Sequence, residues 1–225
     1  MRLSFEHAGA EPAHFDIDTL VIAGWTGRDL AAIEHHIEEL EAIGVPRPSA
    51  IPLFYRVASQ QLSQAGTIEV LGAHSSGEVE PLLMVKGGEW WVSIASDHTD
   101  RQLETHSVAW SKQICTKPVA TQAWRLAEVL PHWDRLILRS WIEEDGQEKL
   151  YQDGTLAALR TPMELLDLLG QTLALPQDGL AMSCGTVVAI GGIRSATQFR
   201  MCLEDPVLGR RIEHGYGTCV LPMVA

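Results

Sequence analysis

The run Leu20-Val21-Ile22-Ala23 is apolar throughout and reads as a strand, and Thr26-Gly27-Arg28-Asp29 behind it resembles a capping box, so a helix should follow. Leu30, Ile33, Ile37 and Leu40 recur at helical spacing, and Gly44 with Pro46 supplies the stop, which predicts a helix over about 28–43. Projected at about 100° per residue, His36 falls on the edge of that apolar stripe and Glu39 lies one turn away on the same margin. Further strands are expected at 52–57, 67–71, 79–86, 90–96 and 135–142, separated by Gly, Ser and Asp clusters. Pro162, followed by Leu165, Leu166, Leu168 and Leu169, opens a second helix that ends near Gly170, and Leu180–Ile190 and Phe199–Leu203 return to strand character. Strands outnumber helices without regular βαβ alternation, so the pattern predicts an α+β domain of twisted, mainly antiparallel or mixed sheets with a few short helices.

Composition narrows the function classes. A chain of 225 residues with 46% apolar content can bury one sizeable core, and no internal repeat or linker divides it, so a single domain over 1–225 is expected. A formal net charge of −12 opposes polyanions, which argues against nucleic acid as a partner. The apolar runs fall far short of the roughly 20 residues a membrane span requires. Cys115, Cys184, Cys202 and Cys219 show no C-x-x-C spacing and the first residues lack the apolar core of a signal peptide, so a reduced, cytoplasmic protein is expected.

Candidate chemistry begins at Glu78-Val79-Glu80. Residues two apart on a strand point the same way, so both carboxylates would share a face. Two like charges so close either raise one pKa or hold a cation between them, and all-oxygen ligation suits Mg²⁺, Mn²⁺ or Ca²⁺. The competing reading is an exposed edge strand carrying two solvated acids, which Pro81 would suit because it cannot donate to a ladder. Asp97 ends the run Trp91-Val92-Ser93-Ile94-Ala95-Ser96 within a polar burst; it is either a third ligand or part of an Asp-rich turn. His98 is placed to touch substrate or to make a local bond, while His132, His214 and the seven Trp residues read as structural or interface groups. Gly191-Gly192 and Gly215-x-Gly217 lack the spacing of phosphate loops and read as turns.

In chain order, the sequence offers Gly24, His36-Ile37-Glu38-Glu39, Pro52-Leu53-Phe54-Tyr55-Arg56 and Glu78-Val79-Glu80. Ser96-Asp97-His98-Thr99-Asp100-Arg101 and Ser111-Lys112 come next, then Asp145-Gly146-Gln147, Gln152-Asp153-Gly154-Thr155, Asp178-Gly179 and Gly185-Thr186. Together these motifs resemble the fumarylacetoacetate hydrolase-like superfamily, of which the chain would be a short, divergent member. The resemblance implies a mixed β-sheet roll or sandwich of that family's C-terminal domain type, with residues 1–50 as an N-terminal strand and lid-like helix and 51–225 as a β-rich metal-binding core. It also implies that Glu78, Glu80 and Asp97 coordinate Mg²⁺ or Mn²⁺ and that Lys112 and Arg101 flank the ion. His36 and Glu39 would form the acid/base pair, Gln152 and Thr186 would line the substrate site, and Lys112 would stabilise an enolate oxygen.

The implied activity is metal-dependent breakage of a C–C bond in a small 2-oxo or 2,4-dioxo acid by a homodimer. Three departures bear on it: a short stretch from Glu80 to Asp97, Val187 in place of the family's Pro, and a helix that begins late after Gly24. His35 with Glu38 repeats the spacing of His36 with Glu39 and is the alternative pair. An oxaloacetate-type decarboxylase or tautomerase, a sugar-acid dehydratase and a non-catalytic acid-binding protein are the alternative functions.

Overall fold

The computed structural model describes residues 1–7, 11–42 and 47–224, and of His36, Glu39 and Leu40 it describes the backbone alone. Strands β1 (Arg2–Phe5) and β2 (Ala13–Asp16) form a hairpin, after which β3 (Thr19–Gly24) leads into helix α1 (Leu30–Ala42). The chain continues through β4 (Leu53–Val57), β5 (Leu62–Ser63), β6 (Thr67–Leu71) and β7 (Ser75–Ser76). Next come β8 (Val79–Lys86), β9 (Glu89–Ser96) and β10 (Thr99–Asp100), then the short helices α2 (Arg101–Glu104) and α3 (Val108–Gln113). Strands β11 (Lys117–Pro118) and β12 (Trp124–Arg125) precede helix α4 (Leu126–Val129). The second half holds β13 (Ile137–Glu144), β14 (Gln147–Thr155), helix α5 (Pro162–Gly170), β15 (Leu180–Ser183), β16 (Gln198–Asp205) and β17 (Arg210–Leu221).

Two mixed sheets carry the fold, one of six strands in the order β12-β9-β8-β15-β3-β4 and one of five in the order β14-β13-β16-β17-β6. Most pairs are antiparallel; β15 with β3 and β17 with β6 are parallel. The expectation of mixed sheets with few short helices therefore holds. The side chains of β8 explain the layering, since alternate residues on a strand face opposite ways. Leu83 and Val85 join a core shared with Leu138, Met201, Leu203 and Ile212 of the five-stranded sheet, whereas Leu82 and Met84 pack with Leu3, Phe5 and Phe15 of the β1–β2 hairpin. With both faces covered, β8 is apolar without alternation from Leu82 to Val85.

That position excludes the edge-strand reading of Glu78 and Glu80, because β8 is central, with β9 on one side and β15 on the other. Pro81 is accommodated where β15 ends: its carbonyl accepts from Cys184 N–H at 3.0 Å, just beyond Ser183, the last paired residue of β15. Its missing N–H therefore falls past the end of the ladder.

Local chemistry sets several boundaries. Pro162 takes the first turn of α5, as the sequence predicts, and Thr161 and Glu164 add a reciprocal capping box. Asp145 and Gly146, at φ 55° and 71°, make the two-residue turn between β13 and β14. Of the expected strand at Leu180–Ile190 only Leu180–Ser183 forms, because Gly185 turns the chain at φ 89°. Among the described residues no helix is long and apolar enough to cross a membrane.

Candidate active site

The ends of five elements meet at one edge of the six-stranded sheet. Antiparallel pairing of β8 with β9 puts the start of β8 beside the end of β9, with Val79 opposite Ser96. Antiparallel pairing of β8 with β15, and parallel pairing of β15 with β3, bring Ser183 and Gly24 to the same edge, where β4 begins opposite Gly24 at Leu53. Glu78, Glu80, Asp97, Gly185 and Trp25 all lie within two or three residues of those ends. Lys112, on the last turn of α3, and Lys117, at the start of β11, are carried there by the chain that follows Asp97.

Glu80 is 4% exposed, and its Oε2 accepts from Ser183 Oγ and, at 3.0 Å, from Gly185 N–H. Burial, with the Asp97 carboxylate nearby, pushes its pKa up to about 8, although Lys112 and the bond from Ser183 oppose the rise. Asp97 is also buried and behaves in the opposite way. Burial favours its neutral form, but the Lys112 and Lys117 ammoniums overcome this and hold it well below the usual carboxylate range. Lys112 pairs with Oδ2, and Lys117 Nζ stands 3.0 Å from Oδ1. Lys112 is held above its ordinary pKa, against its burial, by Asp97, Glu78 and Glu104. Lys117 is shifted down by burial, with repulsion from Lys112 adding to the effect against the attraction of Asp97.

Arg101 lies 2.9 Å from Glu78 Oε2 and 3.0 Å from Glu104 Oε2. His98 is fully enclosed, with Nδ1 at 3.0 Å from Tyr216 OH and Nε2 at 2.8 Å from Ser75 Oγ. Burial and the charges of Lys117 and Arg101 push its pKa down to about 3, so it is a neutral structural group. Gln152 is likewise turned inward. Its Oε1 accepts from Val79 N–H and Ser140 Oγ and its Nε2 donates to Thr186 Oγ1 and Val187 O, leaving no hydrogen-bonding capacity for a substrate. Thr186 Oγ1 in turn donates to Val79 O at 2.6 Å, so the pair fixes the backbone beside Glu78 and Glu80.

The sheet edge thus brings together Glu78, Glu80, Asp97, Arg101 and Lys112, with Gln152 and Thr186 behind them. The backbone of α1 runs on from the same edge, but the side chains of His36 and Glu39 lie outside the described residues. Sequence reasoning missed Lys117, Ser183 and Glu104. Lys117 carried no spacing signal and is recognisable only once β11 is seen to bury it against Asp97.

The donor chemistry suits a divalent cation. The three carboxylates offer hard oxygen ligands, and Glu80 is kept from ionising in part by the charges on Asp97 and Glu78. In this arrangement, however, Glu78 and Asp97 are turned onto Arg101 and the two lysines, and among the described residues no three His, Cys, Asp or Glu side chains form a closed metal-binding group.

Residues 23–216 match the model of a family described as "Protein of unknown function (DUF2848)". The chain belongs to that family. No curated protein matches it in sequence. Several solved structures share the fold of this DUF2848 chain. A protein provisionally assigned as a fumarylpyruvate hydrolase, from Burkholderia cenocepacia, is 18% identical with a TM-score of 0.66, over 98% of this chain and 93% of that one. A protein provisionally assigned to the fumarylacetoacetate hydrolase family, from Yersinia pestis CO92, is 14% identical with a TM-score of 0.65, over 98% and 100%. A 2-keto-3-deoxy-D-arabinonate dehydratase, solved with magnesium and 2,5-dioxopentanoate, is 13% identical with a TM-score of 0.64, over 97% and 79%. The DUF2848 chain therefore has a fumarylacetoacetate hydrolase-like fold.

Proposed function

We propose that the protein is an enzyme acting on a small 2-oxo or 2,4-dioxo acid with Mg²⁺ or Mn²⁺, and that it hydrolyses a C–C bond beside the carbonyl. The supporting observation is the convergence of Glu78, Glu80 and Asp97 with Lys112 and Arg101 at one buried sheet edge. Glu78, Glu80 and Asp97 would hold the ion, which when bound supplies a Lewis acid for the charge that develops on the carbonyl oxygen. Arg101 and Lys112 remain cationic beside these carboxylates, so they would supply positive charge to an anionic substrate once Glu78 and Asp97 turn to the ion. His36 and Glu39 are the proposed proton-transfer pair, because α1 starts from the edge that carries the carboxylates and His98, the alternative imidazole in the site, has both ring nitrogens engaged. The provisional assignment of the B. cenocepacia protein supports action on a small acid, the magnesium in the dehydratase structure supports metal assistance, and the dehydratase makes loss of water from a sugar acid the second reading. We place the activity in a cytoplasmic homodimer.

The test is a panel of acylpyruvates, oxaloacetate and 2-keto-3-deoxy sugar acids assayed with Mg²⁺ and Mn²⁺. Acylpyruvates should turn over, and His36→Ala should lose about 10²–10⁴-fold in rate while keeping the metal-induced rise in melting temperature. Glu80→Ala should lose both. Full activity in His36→Ala beside a dead His35→Ala would transfer the role to His35 and Glu38. Turnover of the sugar acids alone would favour dehydration, and inertness on the whole panel without a metal-induced shift would overturn the reading.

A further inference from the structure

We propose that Trp25 and Tyr55 form the specificity-determining wall of the site and select 2-oxo acids whose second arm is uncharged and planar or apolar, over dicarboxylates and polyhydroxylated acids. The inference rests on the proposed function and extends it to substrate class.

Both rings belong to the sheet edge that carries the carboxylates. Tyr55 sits on β4 opposite Ile22, and Trp25 directly follows Gly24, where β3 ends. Trp25 holds its backbone at φ 61°, a conformation that bulky residues rarely adopt and that tends to persist at functional positions. The indole N–H donates to the Tyr55 hydroxyl, which joins the two rings into one half-buried surface. Gly24 permits that arrangement, since a Cβ there would lie 3.1 Å from Tyr55 Cε2. The surface faces the charged groups: Lys112 Nζ, paired with Asp97, stands 5.6 Å from the centre of the Tyr55 ring.

The charges around the wall decide what it accepts. Arg101 is paired with Glu78 and Glu104, and Lys112 and Lys117 with Asp97, so little positive charge is left over beyond what one substrate carboxylate would draw on. Burial raises the pKa of the Tyr55 hydroxyl against the bond from Trp25 and the charge of Lys112, so the wall presents a neutral phenol. One substrate carboxylate can be met by Lys112 and Arg101. A second one on the far arm would meet two aromatic faces, at a cost in desolvation that neither ring repays. Hydroxyls of a sugar acid would lose water against the same rings, whereas an aryl or alkyl arm would stack on them.

The test compares kcat/KM and calorimetric Kd, in Mg²⁺, for benzoylpyruvate, fumarylpyruvate and a 2-keto-3-deoxy sugar acid. Wild type should favour benzoylpyruvate. Trp25→Gly suits the left-handed backbone, which offsets part of the loss of the half-buried indole, so the fold should persist while the preference for benzoylpyruvate falls about tenfold or more. Tyr55→Leu should erode the preference in the same direction, and Tyr55→Phe should keep most of it. A wild-type preference for fumarylpyruvate or the sugar acid, or an unchanged ratio in Trp25→Gly and Tyr55→Leu, would overturn the wall while leaving the proposed function standing. Absence of binding by any 2-oxo acid would overturn the proposed function and the wall with it.

Discussion

Glu80 and Asp97 show how two carboxyl groups in one buried site are driven apart by their neighbours. Asp97 has two ammoniums against it and stays ionised, whereas Glu80 has a hydroxyl and a backbone N–H and sits in the field of Asp97. The sign of the resulting pH dependence follows. In the unfolded chain Glu80 ionises near 4.5 and in the folded protein near 8, so its contribution to stability is fully present below about 4.5 and is lost as pH rises through about 8. Asp97, with a depressed folded pKa, works the other way, and its contribution is lost as pH falls below its ordinary value. In chelator, wild type should therefore lose on the order of a few kcal/mol between pH 5 and 9 that Glu80→Gln, which keeps the shape and an acceptor but cannot ionise, does not lose. Thermal melts of both proteins across that range decide it; parallel curves would show that Glu80 is already ionised in the folded protein. The pairing of like charges was legible in Glu78-Val79-Glu80, but the division of roles was not, because it depends on Lys117, which carries no spacing signal, and on Ser183, which reaches the site from a distant part of the chain.

The elements that were easiest to read are those whose pattern and boundaries both carry a signal. The strands at 79–86 and 90–96 appear as Val79–Lys86 and Glu89–Ser96, divided by Gly87 and Gly88 at positive φ, and α5 appears where Pro162 and the leucines that follow it put it. Less legible were the β1–β2 hairpin and β17, whose Arg210-Arg211-Ile212-Glu213-His214 is mostly polar and becomes a strand by pairing with β16 and β6. The overestimate at Leu180–Ile190 has a cause in Gly185, which stops β15 and aims its N–H at Glu80. A Cβ at Gly185 would stand 1.9 Å from Thr26 Oγ1, at a φ of 89° that side chains rarely tolerate. Gly185→Ala is therefore expected to cost about 1–3 kcal/mol from strain alone, with the clash against Thr26 in addition. Thr26→Ala should recover only the clash, so chemical denaturation of the two single mutants and the double mutant should show coupling between the sites. Additive losses would mean that the loop moves aside and that the contact with Thr26 is unimportant.

At the scale of the whole molecule, the sheet edge was legible as a sequence of weak motifs, because β8, β9 and β15 each deliver their polar residues where the strand stops. What covers the rest of the surface was not legible. Trp91, Trp124 and Trp133 are core residues, but Trp110 is 66% exposed on α3, two residues before Lys112. After Thr186 the chain also displays Val188 at 89% exposure, with Ile190 and Ile193 at 48% and 47%. Apolar side chains grouped in this way beside a proposed active site are more readily explained by a second subunit than by water. The expected assembly is a homodimer in which the 188–193 segment is covered, with a mass by light scattering of twice the 24.7 kDa of the chain. Val188→Asp with Ile190→Asp should shift that mass towards the single chain while leaving the circular dichroism spectrum intact, because neither side chain belongs to either core cluster. A wild-type mass of one chain across micromolar to near-millimolar concentrations would rule the dimer out. A dimer that survives both substitutions would place its interface on another face, with Trp110 the next position to change.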